Sequence, residues 1–367
     1  MTATDPAEAV AARLFDASLA TMDILSVALG DRLGLYRCLA GTGGLTAAEL
    51  AAESGTVPRW TREWLEQQAA TGLLRVRTGP GPTPEDDPEL RRYEPAAGAD
   101  EVLTDADGLR FLAPLARQLA AAARALPAVA DCARDGGGVP WAEYGADMRE
   151  SEADLNRPAY LRLLAQDWLP AVPGVVERLR SDPPARITDV GCGAGWAAIG
   201  MARAFPRVLV DAYDVDPESV RLARANVAAR GLADRITVHE CDIARAEGDG
   251  TCALVTAFEC LHDLPHPVAA LRAMRRLTEP GGTVLVGDLR TSDRFTAPAG
   301  DVDRLGYGFS VLVCLPDSLS SQDSAATGAV MRMDTLRSYA GAAGFVDVEI
   351  LPIDHELWRF HRLVPPS

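Results

Sequence analysis

The chain contains no lysine: all 36 of its basic side chains are arginine. Chemistry that needs an amine nucleophile or a phosphate-loop lysine is therefore excluded, and pyridoxal enzymes, Schiff-base aldolases and Walker-type ATPases drop out. Positive charge is scarce overall, since 52 acidic residues bring the net charge to −16. That field opposes a sequence-independent grip on a phosphate backbone or an anionic membrane, so neither nucleic acid nor a membrane is expected as a partner. The seven cysteines include no C-x-x-C pair and no ladder of a disulfide framework or zinc site, which predicts reduced thiols in a cytoplasmic protein. Long apolar runs are missing too. Met1 to Val10 carries acidic residues, and the alanine-rich stretch from Leu112 to Cys132 is interrupted by Arg117, Gln118 and Arg124.

What is present is ample core-forming material: 48% of the 367 residues are apolar, enough for two domains, expected at 1–170 and 171–367. Near the N-terminus Leu14, Leu19, Met22, Leu25, Leu29 and Leu33 recur at helical spacing. One small domain cannot cover them all, which predicts a homodimer. Thr46-Ala-Ala-Glu49 is a capping box opening a helix that stops at Gly55. A second helix from Pro58 and a β-like run from Leu73 to Arg77 complete a winged-helix order, with the proline-rich 78–88 as the wing.

From Arg186 onward β-runs alternate with helices, which argues for a parallel sheet. Strands are expected at 187–190, 209–213, 236–239, 253–258 and 283–287. The last two β-runs, 345–351 and 357–363, are joined too closely for a crossover helix and should pair antiparallel at the sheet edge. The fold class is α/β: a Rossmann-like seven-stranded domain preceded by a mainly helical, winged-helix-like one. The long connection at 290–333, with Phe295, Tyr307, Phe309 and Cys314, should fold over the site as a substrate wall.

Asp189-Val-Gly191-Cys-Gly193-Ala-Gly195 follows a strand and opens a helix, so its glycines allow a sharp turn and close approach to a ligand. Trp196 stands where the dinucleotide fingerprint G-x-G-x-x-G continues, so the spacing suits a ligand without a pyrophosphate. Asp214 ends the second strand, where a carboxylate can accept from both hydroxyls of a ribose, and Asp242 ends the third, placed for an exocyclic amine of a purine.

These residues resemble the class I S-adenosylmethionine-dependent methyltransferases. The resemblance implies S-adenosyl-L-methionine lying across the carboxyl ends of the strands, its methionine moiety over Gly191 and Gly193, its ribose on Asp214 and its adenine beside Asp242 and Ile243, with Asp189, Gly195, Val215 and Phe258 also among the cofactor-binding residues. The helical first half resembles that of small-molecule O-methyltransferases, and the run from Tyr307 to Met331 with Leu351-Pro-Ile353 is similar to a largely uncharacterised actinobacterial group. In plant-type O-methyltransferases a His-Asp pair after the fourth strand supplies the general base. His262-Asp263 match it, although Leu264 replaces the tryptophan that usually follows. An imidazole there can take a proton from a hydroxyl as its oxygen attacks the methyl carbon, or can serve for packing alone. Tyr144, Asn156, Arg157, Glu259 and Tyr307 are the candidates for contact with a small-molecule substrate.

His262, His266 and Glu259 have a spacing that invites a metal reading, but Pro265 breaks the helix that would align the imidazoles, so no metal is expected. Two other functions compete with methyl transfer. One is an enzyme that uses the sulfonium charge without transferring methyl. The other is a winged-helix regulator, disfavoured because 58–70 mixes Arg59 and Arg62 with Glu63 and Glu66.

Overall fold

The computed structural model describes residues 5–77 and 87–366, so the expected wing at 78–88 lies almost wholly outside the described residues. The chain forms two compact units, Met1–Ala121 and Ala122–Ser367.

In the first unit, α1 (Pro6–Arg32) is followed by α2 (Leu35–Leu39), α3 (Ala47–Ser54) and α4 (Pro58–Ala70). The Thr46 capping box is formed: its hydroxyl accepts from Glu49 N–H, and the Glu49 carboxylate accepts from Thr46 N–H at 2.8 Å. Strands β1 (Leu74–Arg77) and β2 (Arg92–Pro95) pair antiparallel, and α5 (Ala99–Leu103) follows. Leu35, Leu39, Leu50, Leu65, Leu74 and Tyr93 make the core. The apolar stripe of α1 does not join it along most of its length: Leu14 is 65% exposed and Met22 64%.

The boundary expected near residue 170 falls instead within α6 (Ala113–Asp135), which runs through Pro127. Helix α7 (Trp141–Leu163), kinked at Gly145, therefore belongs with the sheet. The reason is backbone contact, because a Cβ on Gly200 would stand 2.4 Å from the Tyr160 carbonyl oxygen. A π-turn at Leu164–Trp168 leads to α8 (Val175–Arg180).

The second unit then alternates β3 (Arg186–Val190), α9 (Trp196–Ala204), β4 (Leu209–Asp214), α10 (Pro217–Ala229), β5 (Ile236–Glu240), β6 (Cys252–Phe258), α11 (Pro267–Leu277) and β7 (Thr278–Leu289). The insertion holds α12 (Asp301–Phe309), a π-turn at Ser310–Cys314 and α13 (Leu315–Leu319); α14 (Met333–Ala343), β8 (Asp347–Ile350) and β9 (Trp358–Val364) close the chain. Sheet order is β5-β4-β3-β6-β7-β9-β8, parallel through β7 and antiparallel at β9 and β8, as the short final connection predicts.

β6 is buried at every position, which is why Cys-Ala-Leu-Val-Thr-Ala-Phe reads as a nearly continuous apolar run. Every strand that matters to the site ends at the same edge, and the order turns outward from β3 in one direction and β6 in the other. Open α/β sheets bind ligands at such a switch point.

Candidate active site

The turn after β3 is made of glycines with φ of 63°, 50° and 79° at Gly191, Gly193 and Gly195. Two are packed: a Cβ on Gly191 would lie 2.6 Å from Cys260 Cβ, and one on Gly195 would lie 3.2 Å from Ala223 Cβ. Gly193 differs, for nothing stands within 4 Å of its Cβ position, so it opens onto free space. Its N–H donates to Asp214 Oδ2 at 2.8 Å, while Asp216 N–H donates to Oδ1 at 2.9 Å. The Asp214 carboxylate is thereby fixed at the end of β4, beside an exposed Val215.

Asp189 is buried and accepts from the Thr256 hydroxyl at 2.7 Å. Burial outweighs that bond and pushes its carboxyl up to about 7. Burial raises Asp214 as well, against the backbone donors of Asp216 and Gly193. Asp242 accepts from Ala244 N–H at 2.9 Å through Oδ1 and caps the short turn containing buried Ile243. Phe258 is packed into an aromatic cluster with Tyr160, Trp168 and Phe360, at centroid separations of 5.8, 6.2 and 6.3 Å.

Beyond β6 the backbone passes through Glu259 at φ 49°, a rare conformation for this residue. Asn156 on α7 donates to Glu152 Oε1 at 2.6 Å and to Glu259 Oε2 at 3.2 Å. Burial, with Glu152 and Asp288 near by, pushes Glu259 up to about 8. Arg157 lies over the Trp196 ring, 5.4 Å from its centroid. The structure thus brings Asn156, Glu259 and the glycine turn together through α7. Tyr144 and Tyr307 have other partners: one hydroxyl donates to Leu312 O at 2.8 Å, and the other accepts from Arg332 at 3.0 Å.

His262 is buried. Its Nδ1 is 2.7 Å from Asp288 Oδ1, which also accepts from Leu289 N–H at 2.8 Å. A carboxylate only accepts, so Nδ1 carries the proton and Nε2 faces Asp263 Oδ1 at 3.3 Å. Burial works against a charged ring, but Asp263 and Asp288 outweigh it and hold the histidine pKa well above its ordinary range. Sequence spacing missed Asp288, on a different strand from His262, and also the ion pair of Arg149 with Asp216, 2.6 Å from Nε to Oδ2 and nearly buried on both sides.

Residues 187–282 match the profile of the methyltransferase domain. This part of the chain is a methyltransferase domain. Over 107 residues the chain is 36% identical to the ubiquinone biosynthesis O-methyltransferase of Xanthomonas campestris pv. campestris (strain B100), covering 29% of this chain and 44% of that protein. The protein of the same description from Xanthomonas euvesicatoria pv. vesicatoria (strain 85-10) is 36% identical over 105 residues, 29% of this chain and 43% of that one. The chain thus spans less than half the length of these curated relatives.

Solved structures reach further. Mitomycin 7-O-methyltransferase MmcR superposes with a TM-score of 0.73 at 19% identity, over 99% of this chain and all of that one. Human N-acetylserotonin methyltransferase, solved in complex with S-adenosylmethionine, gives 0.71 at 18% identity over the whole of both chains. At this identity the likeness establishes the fold alone.

The raised carboxyl pKa values carry a stability consequence. Asp189 and Glu259 hold their protons more tightly when folded, so the stability they contribute is complete below their ordinary values of 3.8 and 4.5 and is lost as pH rises through about 7 and 8. His361, buried and lowered to about 4, has the opposite sense, but only below its ordinary 6.5. The ligand-free chain should therefore melt at a lower temperature at pH 8 than at pH 6.5. Calorimetric scans should show that gap narrowed in Asp189→Asn/Glu259→Gln, and an equal gap in both proteins would reject the assignment.

Proposed function

We propose that this chain methylates a small-molecule oxygen, nitrogen or carbon nucleophile, of secondary-metabolite type, using S-adenosylmethionine. The observation that carries the reading is Asp214, fixed by the N–H of Gly193 at the end of β4 inside the matched methyltransferase residues. Each Asp214 oxygen keeps accepting capacity for a ribose hydroxyl beyond its one backbone donor. The open face of Gly193 leaves room for the methionine portion, and Asp242 with Ile243 suits the adenine. When bound, this cofactor supplies an electrophilic methyl on a sulfonium, so the chain's own task is to align and deprotonate the acceptor.

Asn156, Arg157 and Glu259 form the acceptor-facing set, while His262 takes the acceptor's proton. Asp288 fixes its tautomer as an orienting carboxylate does in a catalytic triad. The ring must first shed the proton that its two acidic neighbours favour. The regulator reading gains no support from Arg59 and Arg62, which pair with Glu63 and Glu89. All seven cysteines are free, which fits a reducing compartment such as the cytoplasm. Among the described residues no helix is long and apolar enough to cross a membrane.

Three measurements test this reading. Asp214→Ala should cost on the order of 2–3 kcal/mol in cofactor binding, or ~30- to 150-fold in affinity, by calorimetry on cofactor-stripped protein. Undetectable binding to the unaltered chain would end the proposal. For labelled methyl transfer to a panel of small phenols, the rate should climb through the alkaline range, and Asp288→Asn should move that climb toward the ordinary histidine pKa of about 6.5. A profile unmoved by the substitution would remove His262 as the base. The exposed stripe of α1, including Leu14, Phe15, Leu19 and Met22, supports a homodimer, so light scattering should report twice 39.0 kDa. A monomer at micromolar concentration would refute it.

A further inference from the structure

One cluster at the sheet edge is not exhausted by methyl transfer. The imidazole of His262, the carboxylate of Asp263 and the thiol of Cys314 each offer a ligand atom, and the three atoms lie within 4.8 Å of one another. Ligands around tetrahedral zinc stand about 3.3–3.8 Å apart, given metal–ligand bonds of about 2.0–2.3 Å. The Nε2–Oδ1 separation of 3.3 Å already has that value. Closing the thiol onto the same point needs a shift on the order of an ångström.

Three further observations make this more than proximity. Nδ1 of His262 is held by Asp288, buried on β7, at 2.7 Å. A carboxylate on the far nitrogen is the usual support of a metal-bound histidine, because it sets the tautomer and makes Nε2 a better donor. Asp263 Oδ1 is enclosed and faces Nε2 of His262 at 3.3 Å. Once Nε2 has shed its proton, the enclosed carboxylate oxygen faces a lone pair, a costly arrangement that a cation between the two would relieve. Cys314 closes the π-turn 310–314, and such turns recur at functional sites.

We propose that His262 Nε2, Asp263 and Cys314 bind a divalent cation of the zinc type. One nitrogen, one oxygen and one sulfur donor select a borderline-soft metal over magnesium or calcium. Three protein ligands leave a fourth position for water or a substrate atom. Binding takes Cys314 as thiolate, its proton passing to solvent, and needs no oxidant or reductant. The ion would occupy the lone pair that a general base requires, so the two uses of Nε2 exclude each other. Metal binding does not depend on the methyltransferase reading, and the calorimetric test of cofactor binding leaves it untouched.

The test is titration of the full, chelator-stripped chain with cobalt(II). A thiolate-to-cobalt band in the near ultraviolet should saturate at one ion per chain and be bleached by zinc. Cys314→Ala should abolish the band, while Cys132→Ala should keep it. Asp288→Asn should weaken binding by roughly 10- to 100-fold. Circular dichroism would confirm that each variant is folded. The proposal is overturned if the unaltered chain gives no saturable thiolate band, or if the band survives in folded Cys314→Ala.

Discussion

The absence of a side chain at Gly191 holds the site together. A Cβ there would collide with Cys260, at 2.6 Å from its Cβ and 2.8 Å from its sulfur, and the Cys260 thiol reaches Val190 O at 3.2 Å. The turn after β3 can therefore press against the turn after β6. One carries Gly193 and its bond to Asp214; the other carries Glu259, His262 and Asp263. Any larger residue at 191 would drive the two turns apart and separate the residues that would hold a cofactor from those that would act on its partner. It would also strain the backbone, since φ is 63°.

Around this contact the chain concentrates acid. Asp189, Asp214, Glu259 and Asp263 all have raised pKa values, with burial as the leading cause in each. Their direction means that the ligand-free site resists becoming fully ionised. A cationic ligand reverses that balance, because each carboxyl that loses its proton on binding gains an attraction in place of a desolvation penalty. A sulfonium ion and a divalent metal both have the required sign. A phosphate does not, which agrees with a glycine turn that lacks the spacing of a pyrophosphate cradle.

Much of this was legible in the sequence, because periodicity and chain order are local. The parallel strands, the antiparallel edge, the glycine turn and the acids at the ends of β4 and β5 all come from residues read in order. What could not be read comes from residues that meet only in the fold. Asp288 joins His262 across two neighbouring strands, and Cys314 arrives from the insertion. Arg149 finds Asp216 from a helix that precedes the sheet. The hydroxyl partners of Tyr144 and Tyr307, Leu312 and Arg332, likewise come from residues far off in the chain or across the insertion. The α7 helix, expected within the first domain, is instead a wall of the sheet unit, since Gly200 lets its backbone touch α9.

The remaining question is what a single nitrogen is for. Asp288 is 2% exposed and bonded to Leu289 N–H as well as to the ring, so the imidazole cannot turn without taking a hydrogen bond from a buried carboxylate. Nε2 is therefore aimed at one point whatever occupies it. Asp263 stands at that point from one side and the π-turn with Cys314 from another. If a proton is there, the arrangement is a base with a strongly favoured charged form. If an acceptor hydroxyl is there, it is a proton sink poised for transfer. With a soft cation the same three groups become its ligands, and Asp288 serves both chemistries unchanged. A rigid ring in an acidic enclosure is thus compatible with each occupant in turn, and the choice depends on which cation reaches it.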